Sequence, residues 1–294
     1  MPAIAIIRGQ VSGYERTVHL SIMSDFLVLC AFLSFATFLL ARQHKYAAVS
    51  GWACIVLNLW SELPAFLNED NFLYPLLALL SLPFLAVTAE RLLRADPVIL
   101  QLSRAAAIAT IIYIPFALVP PLHDALISGV VTLASGLITA LGHTPHKAAW
   151  DIIAEKAFYN QIILGCTGIT AIALVLGIVS GEKNLSLREA VPAFLIVVPS
   201  IFILNLLRVS IVFIAVSDTW FASFPDPTGT GDANFFWAHN VIAEGMAVLF
   251  LLALAWGLVR IIPGLGVFAR DLVGVYRNRL HDIFASIQKT SLSP

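Results

Sequence analysis

The sequence predicts an all-α fold, a polytopic membrane helical bundle, and two observations carry that prediction. Of the 294 residues, 59% are hydrophobic and only 12% are charged, whereas a soluble domain averages about 25% charged residues. Apolar runs of about 20 residues, enough to cross a bilayer, also recur along the chain. The composition therefore indicates an integral membrane protein, and no basic patch points to a nucleic-acid partner.

About seven segments are predicted to span the membrane. They are Leu20–Ala41, Tyr46–Leu67, Phe72–Thr88, Ala105–Pro120, Gln161–Ser180, Pro192–Val216 and Trp237–Val259. The first 19 residues lack the continuous apolar core and the small-residue cleavage site of a secretory signal peptide. The three cysteines, Cys30, Cys54 and Cys166, all fall within predicted spans. Neither a disulfide framework nor a zinc site is therefore expected, and no metal or other cofactor is predicted.

One further helix is predicted between the fourth and fifth spans, over Leu122–His146. Its polar residues recur every three or four positions, opposite a stripe rich in leucine. This pattern is typical of an amphipathic helix that lies at an interface or packs over the bundle, here on the outer surface. The segment is also long enough to be an eighth span. In that alternative the basic residues would be divided more evenly between the two sides of the membrane.

The basic residues in the loops predict the orientation, because lysine and arginine accumulate on the cytoplasmic side. With seven spans, four basic residues fall on one side of the membrane: Arg8, Arg16, Lys147 and Lys156. Twelve fall on the other side: Arg42, Lys45, Arg91, Arg94, Arg104, Lys183, Arg188, Arg260, Arg270, Arg277, Arg279 and Lys289. The amino terminus is therefore predicted outside and the carboxyl terminus in the cytoplasm.

Three chemically active residues are predicted at one depth in three consecutive spans. With this orientation Cys166 lies about 8 Å below the outer boundary and Arg208 about 12 Å below it, while His239 lies in the first turn of its span. A charge inside a span costs at least about 2.5–3.5 kcal/mol and normally marks function. Taken singly, a buried cysteine is ordinarily an inert hydrophobe, which is the interpretation for Cys30 and Cys54. The coincidence of all three residues favours a site.

The three residues are those that thiol catalysis needs. A thiolate is the nucleophile, and a neighbouring cation, His239 as imidazolium or Arg208, favours that form. Arg208 can stabilise the oxyanion produced by attack on a carbonyl, and His239 can transfer the protons. Gly165 and Gly168 leave room for a substrate backbone or, alternatively, for helix packing.

Other residues near the predicted site have less certain roles. Asn205 lies one turn before Arg208 and is expected to orient its guanidinium. Asp151, Glu155 or Glu244 can orient the histidine, and spacing alone selects none of them. The acidic loop Ser217–Phe236, rich in proline and glycine, is predicted to be mobile and to cover the site.

Three short motifs around these residues carry a family resemblance. They are "CTGI" at Cys166–Ile169, "LNLLRVSIVF" at Leu204–Phe213 and "FFWAHNVIAEG" at Phe235–Gly245. In order, spacing and placement the chain resembles the exosortase/archaeosortase family of membrane cysteine transpeptidases, and it looks more like the archaeal branch.

The resemblance implies site roles. Cys166 would be the nucleophile, Arg208 the transition-state stabiliser and His239 the acid/base. The other motif residues expected to support them are Asn205, Gly165, Thr167, Gly168 and Asn240.

It also implies a substrate class. Secreted proteins with a carboxyl-terminal motif (Pro-Gly-Phe or Pro-Glu-Pro type), hydrophobic helix and basic cluster would be cleaved through a thioester at the outer face of the cell membrane. The new carboxyl terminus would pass to a lipid acceptor.

The predicted organisation is a single integral membrane domain over 1–294. Four spans occupy 1–120, the outer helix and loop 121–160, a catalytic three-helix core 161–260 and the cytoplasmic tail 261–294. A different class of function is a small-molecule or anion transporter or channel, in which Arg208 binds an anion. No internal inverted repeat of the kind common in transporters is evident. A purely structural membrane subunit is a further alternative.

Overall fold

The computed structural model describes residues 23–41, 44–68, 73–156, 158–182, 185–227 and 233–291. Helices dominate these residues, and the predicted all-α membrane bundle is confirmed. The chain divides into two compact units, one drawn from 1–107 and 271–294 and the other from 108–270. The second unit contains every residue proposed above for the site.

The first unit is helical throughout its described residues. Its elements are α1 (Met23–Leu40), α2 (Lys45–Ser61), α3 (Leu63–Asn68), α4 (Leu73–Leu93), the first half of α5 (Pro97–Leu118) and most of α10 (Pro263–Ser291). Aromatic side chains fill its core: Phe35 packs edge-on against Trp52, whose ring also meets Phe84. The buried Trp52 indole donates a 2.9 Å hydrogen bond to Ser103, so the core leaves this polar group satisfied.

The second unit combines helices with a small sheet. After the end of α5 come α6 (Pro120–Ala140), the strands β1 (His146–Lys147), β2 (Ile152–Glu155) and β3 (Phe158–Gln161), a 3₁₀ turn (Leu164–Thr167), α7 (Ile169–Ser180), α8 (Leu187–Ser217) and α9 (Ala233–Ile261). The strands are antiparallel in the order β1-β2-β3, with Ile153 opposite Asn160. Residues 121–160 thus hold a helix and a sheet rather than a helix and a loop.

Six helices of the described chain are long and apolar enough to cross a membrane: α1, α4, α5, α6, α8 and α9. This supports a multi-pass membrane protein. The predicted span Tyr46–Leu67 is broken between α2 and α3 at Glu62, and the first three residues of Leu20–Ala41 lie outside the described residues. Because α6 meets these criteria, the choice between an interfacial helix and a span stays a prediction.

The predicted span Gln161–Ser180 is wrong as a continuous helix. Only its last 12 residues form α7, and the residues before them form the end of β3 and a 3₁₀ turn. The break falls at Gly168, whose φ of +80° lies in the left-handed region that ends a right-handed helix. Cys166 therefore lies on a turn that precedes a helix, not within one.

The 31-residue α8 organises the second unit. Its N-terminus carries a capping box, in which Ser186 and Glu189 satisfy each other's backbone donors. One core, which includes Val131, Ile153 and Phe213, joins the carboxyl-terminal half of α8 to α6 and the sheet. A second core, which includes Val197 and Leu258, joins its first half to α7 and α9. Cys166 packs against the first of these cores.

Candidate active site

Cys166 is presented on the tight turn between β3 and α7. Ile163 is extended, Leu164–Thr167 form a 3₁₀ turn, and α7 begins directly after Gly168. The Thr167 hydroxyl donates a 2.7 Å hydrogen bond to the Leu164 carbonyl and accepts from the Ile169 amide at 3.4 Å. Thr167 thus closes the turn and caps the start of α7, which gives this motif residue a structural role.

The two glycines beside the cysteine have different surroundings. A Cβ at Gly168 would lie 3.2 Å from Cβ of Asn205 and 3.3 Å from its Cγ, and its φ is positive. A Cβ at Gly165 would meet only Ile163, at 4.0 Å. Gly168 is therefore required by backbone conformation and by close packing on α8, whereas exposed Gly165 leaves open space beside Cys166.

Asn205 fixes the turn to α8. Its side-chain amide donates a 2.5 Å hydrogen bond to the Cys166 carbonyl, and the residue is only 9% exposed. Asn205 and Arg208 are three residues apart, so they lie on one face of α8, about one turn from each other. The amide expected to orient Arg208 thus donates to the backbone of Cys166 in the described structure.

Arg208 and His239 are brought into contact. Nη2 of Arg208 lies 3.4 Å from Nε2 of His239. The Nδ1 of His239 is 2.8 Å from Oδ1 of Asn240, and this oxygen can only accept a hydrogen bond. The neutral imidazole then carries its proton on Nδ1 and leaves the Nε2 lone pair facing the guanidinium.

A π-helical segment within α9 carries the histidine. It covers Phe236–Ala243, and such segments are rare and concentrated at functional sites. The Phe235 ring stacks on the imidazole at 5.0 Å with an interplanar angle of 9°. The buried Ala238 and Ala243 pack against Val212 and Ala215 of α8, where small side chains permit close helix approach. Phe235, the first residue of the third motif, thus supports the histidine ring.

A cavity of about 290 Å³ adjoins these residues between α7, α8 and α9. Gly165, Gly168, Asn205 and Arg208 line one end, and apolar side chains line the rest. The Nε of Arg208 is buried and has no hydrogen-bond partner among the described residues. Arg208 thus lines the cavity and keeps one buried guanidinium donor without a hydrogen-bond partner among the described residues.

The three carboxylates considered for the histidine do not contact it in the described structure. Asp151 accepts a 2.7 Å hydrogen bond from the Gln161 amide. Glu155, on β2, accepts from the Thr144 backbone amide at 2.9 Å and pairs with His143 at 3.2 Å. The Thr144 bond, with smaller contributions from His143 and Ser217, holds the pKa of Glu155 below its ordinary value against the opposing effect of burial. The side chain that meets Nδ1 of His239 is instead Asn240.

The predicted covering loop is described only at its two ends, since residues 228–232 lie outside the described residues. Asn234 joins those ends: its side-chain amide donates to the Val216 carbonyl and its carbonyl oxygen accepts from the Phe221 amide, both at 2.9 Å. Trp237 donates to the Pro225 carbonyl at 2.9 Å. The segment leading to His239 is thus anchored to the end of α8, and mobility of the loop stays a prediction.

Two curated relatives are similar to this chain. It is 25% identical over 275 residues to Archaeosortase A of Haloferax volcanii, covering 83% of this chain and 88% of the relative. It is 26% identical over 219 residues to Archaeosortase A of Natronomonas pharaonis, covering 67% of this chain and 69% of the relative. The two relatives support membership in the archaeosortase/exosortase family.

This agrees with the family predicted from the three short motifs. Archaeosortase relatives support the broad assignment as a sortase-like membrane transpeptidase. No family model matches the chain, and no solved structure matches it. The roles of the individual site residues stay predictions, which the geometry supports as follows.

Proposed function

We propose that this archaeosortase-like protein is a membrane cysteine transpeptidase in which Cys166 is the nucleophile, Arg208 the oxyanion stabiliser and His239 the acid/base. The observation that carries the proposal is the joining of three separate segments. Asn205 holds the Cys166 carbonyl, and one turn along α8 Arg208 contacts His239. A nucleophile, a fixed cation and a proton carrier thus share one small region.

The first half of the reaction forms a thioester. The Cys166 thiolate attacks the carbonyl carbon of the scissile peptide bond, and the carbonyl π electrons move to oxygen. Arg208 stabilises that oxyanion, where a preorganised donor is worth most. When the oxyanion collapses, the C–N bond breaks, protonated His239 gives its proton to the leaving amine, and the amino-terminal fragment stays bound to sulfur.

The second half releases the enzyme. An acceptor amine, or water in the hydrolytic variant of the reaction, gives a proton to His239 and attacks the thioester carbon. The C–S bond then breaks and Cys166 leaves as the thiolate. In both halves Asn240 holds the imidazole with Nε2 facing the reaction, as the 2.8 Å contact with Nδ1 indicates.

The substrates proposed are secreted proteins with a carboxyl-terminal motif, hydrophobic helix and basic cluster, as processed by the family this chain resembles. The acceptor proposed is a membrane lipid with a free amine. Cleavage at the outer face of the cell membrane is consistent with the orientation predicted from the loop charges, with the carboxyl terminus in the cytoplasm. The coarser conclusion, a sortase-like membrane transpeptidase, rests on the relatives.

Processing of a tail-bearing reporter tests this function. The chain and a secreted reporter with a Pro-Gly-Phe-type tail are expressed together, and the reporter's mass and membrane anchoring are measured. Cys166→Ala is expected to abolish processing, whereas Cys54→Ala, in α2 of the other unit, is expected to process normally. If Cys166→Ala still trims the tail and anchors the reporter, the proposal is wrong.

A further inference from the structure

The cavity beside the active site is a groove elongated along the helices. Its lining follows the three helices away from the proposed catalytic residues: α7 from Gly168 to Leu174, α8 back from Arg208 to Ile201, and α9 from Ala243 to Leu251. Ala243 and Leu251 are eight residues apart, which corresponds to about 12 Å at 1.5 Å per residue. The groove therefore runs about 12 Å along the bundle from the Arg208 end.

The polarity of the groove changes along this path. Arg208, Asn205 and Thr170 supply polar groups at one end, and Leu174, Met246, Phe250 and Leu251 are among the apolar side chains that line the remainder. A ligand that fits this surface carries an anionic group at one end and a hydrocarbon chain along the rest. The buried Nε of Arg208, which lacks a hydrogen-bond partner among the described residues, marks the charged end.

The far end of the groove is closed. Beyond Leu174 and Leu251 the same three helices pack together through Leu176, Val197 and Leu254, which are buried in the second core. A membrane's hydrocarbon layer is about 30 Å thick, so a 12 Å groove ends well before its far side. The groove is therefore a blind recess and not a passage along the bundle.

The side of the groove is open along α7. Gly165, Thr170 and Leu174 all line it and are all exposed, Leu174 by 56%. In a membrane, exposed apolar side chains on such a helix face lipid, so the opening would admit a molecule laterally from the bilayer. A water-soluble ligand would have no need of a lateral entrance of this kind.

The length of the groove distinguishes between two candidate occupants, a spanning helix and a hydrocarbon chain. A spanning helix of about 20 residues that entered the groove along its axis would have to continue past the closed end. A single flexible hydrocarbon chain would not.

We propose that this groove holds one hydrocarbon chain of a phospholipid whose phosphodiester lies against Arg208. This rests on the proposed function, for which it assigns the acceptor site: the headgroup of the lipid then lies beside Gly165 and Gly168, which flank Cys166. A headgroup amine at that place is within reach of the thioester formed there. The substrate's own hydrophobic helix binds elsewhere on the protein.

Binding is tested without catalysis. Cys166→Ala protein is placed in phosphatidylcholine nanodiscs that contain a small fraction of phosphatidylethanolamine with a diazirine at mid-chain, illuminated, and mapped by mass spectrometry. Cross-links are expected at Leu174, Phe250 or Leu251, and Ala247→Phe in the same background should reduce them at least fivefold. Ala253→Phe, the same change on an exposed part of α9, is the matched control. Cross-links only at outward residues such as Leu249, or groove cross-links that survive Ala247→Phe, would overturn the proposal.

Product partition gives a second measurement with active enzyme. The ratio of lipid-linked to free-carboxyl product is expected to fall at least tenfold in Ala247→Phe, and in Ala171→Phe, while Ala253→Phe keeps the wild-type ratio. Equal loss of both products would place the peptide substrate in the groove. Unchanged amounts of both products would leave the groove without a role in transfer. Either result contradicts the proposal. If no covalent intermediate forms on Cys166 while the cross-links persist, the proposed function fails and the lipid site stands.

Discussion

Gly168→Ala is expected to damage the proposed active site although it adds a single methyl group. An alanine in the left-handed region costs about 1–2 kcal/mol, and Gly168 has φ +80°. The new Cβ would also lie 3.2 Å from Cβ of Asn205, whereas carbon atoms prefer separations of about 3.5–4.0 Å. Asn205 or the turn must move by a few tenths of an ångström, and the hydrogen bond from Asn205 to the Cys166 carbonyl moves with it.

The expected effect on rate is larger than the effect on stability. Because misplacing a reacting group by about 1 Å can cost 10²-fold in rate, a shift of a few tenths of an ångström predicts a loss of about three- to thirtyfold in single-turnover cleavage of a tail-bearing peptide. The free energy of unfolding, measured in detergent, is expected to fall by about 1–2 kcal/mol.

Gly142→Ala is a control that separates the effect of backbone strain from the effect of displacing the Cys166 turn. Gly142 also has a positive φ, +95°, but a Cβ there would meet no atom within 4 Å. The same loss of stability is expected, with a change in cleavage rate of less than about twofold. If Gly168→Ala cleaves at the wild-type rate, or if the two variants lose activity equally, the reasoning about Asn205 and the Cys166 turn is refuted.

Three further outcomes follow from the site and its surroundings. Asn240→Leu should lower single-turnover cleavage about tenfold or more, whereas Asn240→Asp keeps an oxygen acceptor for Nδ1 of His239 and should cleave faster than Asn240→Leu; equal loss in the two variants would contradict this. Arg208→Lys should lower the rate of acylation about 10²–10³-fold, the range for loss of an oxyanion donor, since an ammonium lacks the planar fork; wild-type acylation would exclude that role. Glu155→Gln should lower the free energy of unfolding by about 1.5–3 kcal/mol at neutral pH. In the wild type, the lowered pKa of Glu155 stabilises the folded protein. This stabilisation is complete above the ordinary glutamate pKa of about 4.3 and is lost as the pH falls through the pKa of Glu155 in the folded protein. Equal free energies of unfolding for the wild type and Glu155→Gln at pH 7 would contradict this.

The helical membrane architecture and the three central residues were accessible from the sequence. Hydropathy measures partition into a bilayer, and it correctly marked α1, α4, α5, α8 and α9 as long apolar helices. Arg208 stood out because a charge in such a segment is costly. The depths assigned to Arg208 and His239 predicted that they share a site, and the structure has Nη2 and Nε2 3.4 Å apart.

The conformation around Cys166 was not accessible in the same way. Residues 161–180 are uniformly apolar, and apolarity alone does not distinguish a helix from a strand end followed by a turn. Because glycine adopts many conformations, a glycine at position 168 does not by itself predict a positive φ there. The contact that breaks the helix, with Asn205, joins residues far apart in the chain.

Asn240 was expected to support the site, but its contact with Nδ1 of His239 was not predicted, for a geometric reason. Regular helices place residues three and four apart on one face, and adjacent residues do not face each other. The orienting groups considered from the sequence were Asp151, Glu155 and Glu244, whereas the structure gives the adjacent Asn240 inside a π-helical segment. No periodicity in "FFWAHNVIAEG" indicates that segment.

Intact-mass analysis of the enzyme during turnover tests the central claim most directly. With a tail-bearing substrate, the protein is expected to gain the mass of the substrate's amino-terminal fragment. The adduct should map to Cys166, be released by hydroxylamine as the hydroxamate, and be absent from Cys166→Ala while present in Cys54→Ala. Product formed at the wild-type rate with no adduct on Cys166, or with the adduct on another residue, would contradict the account.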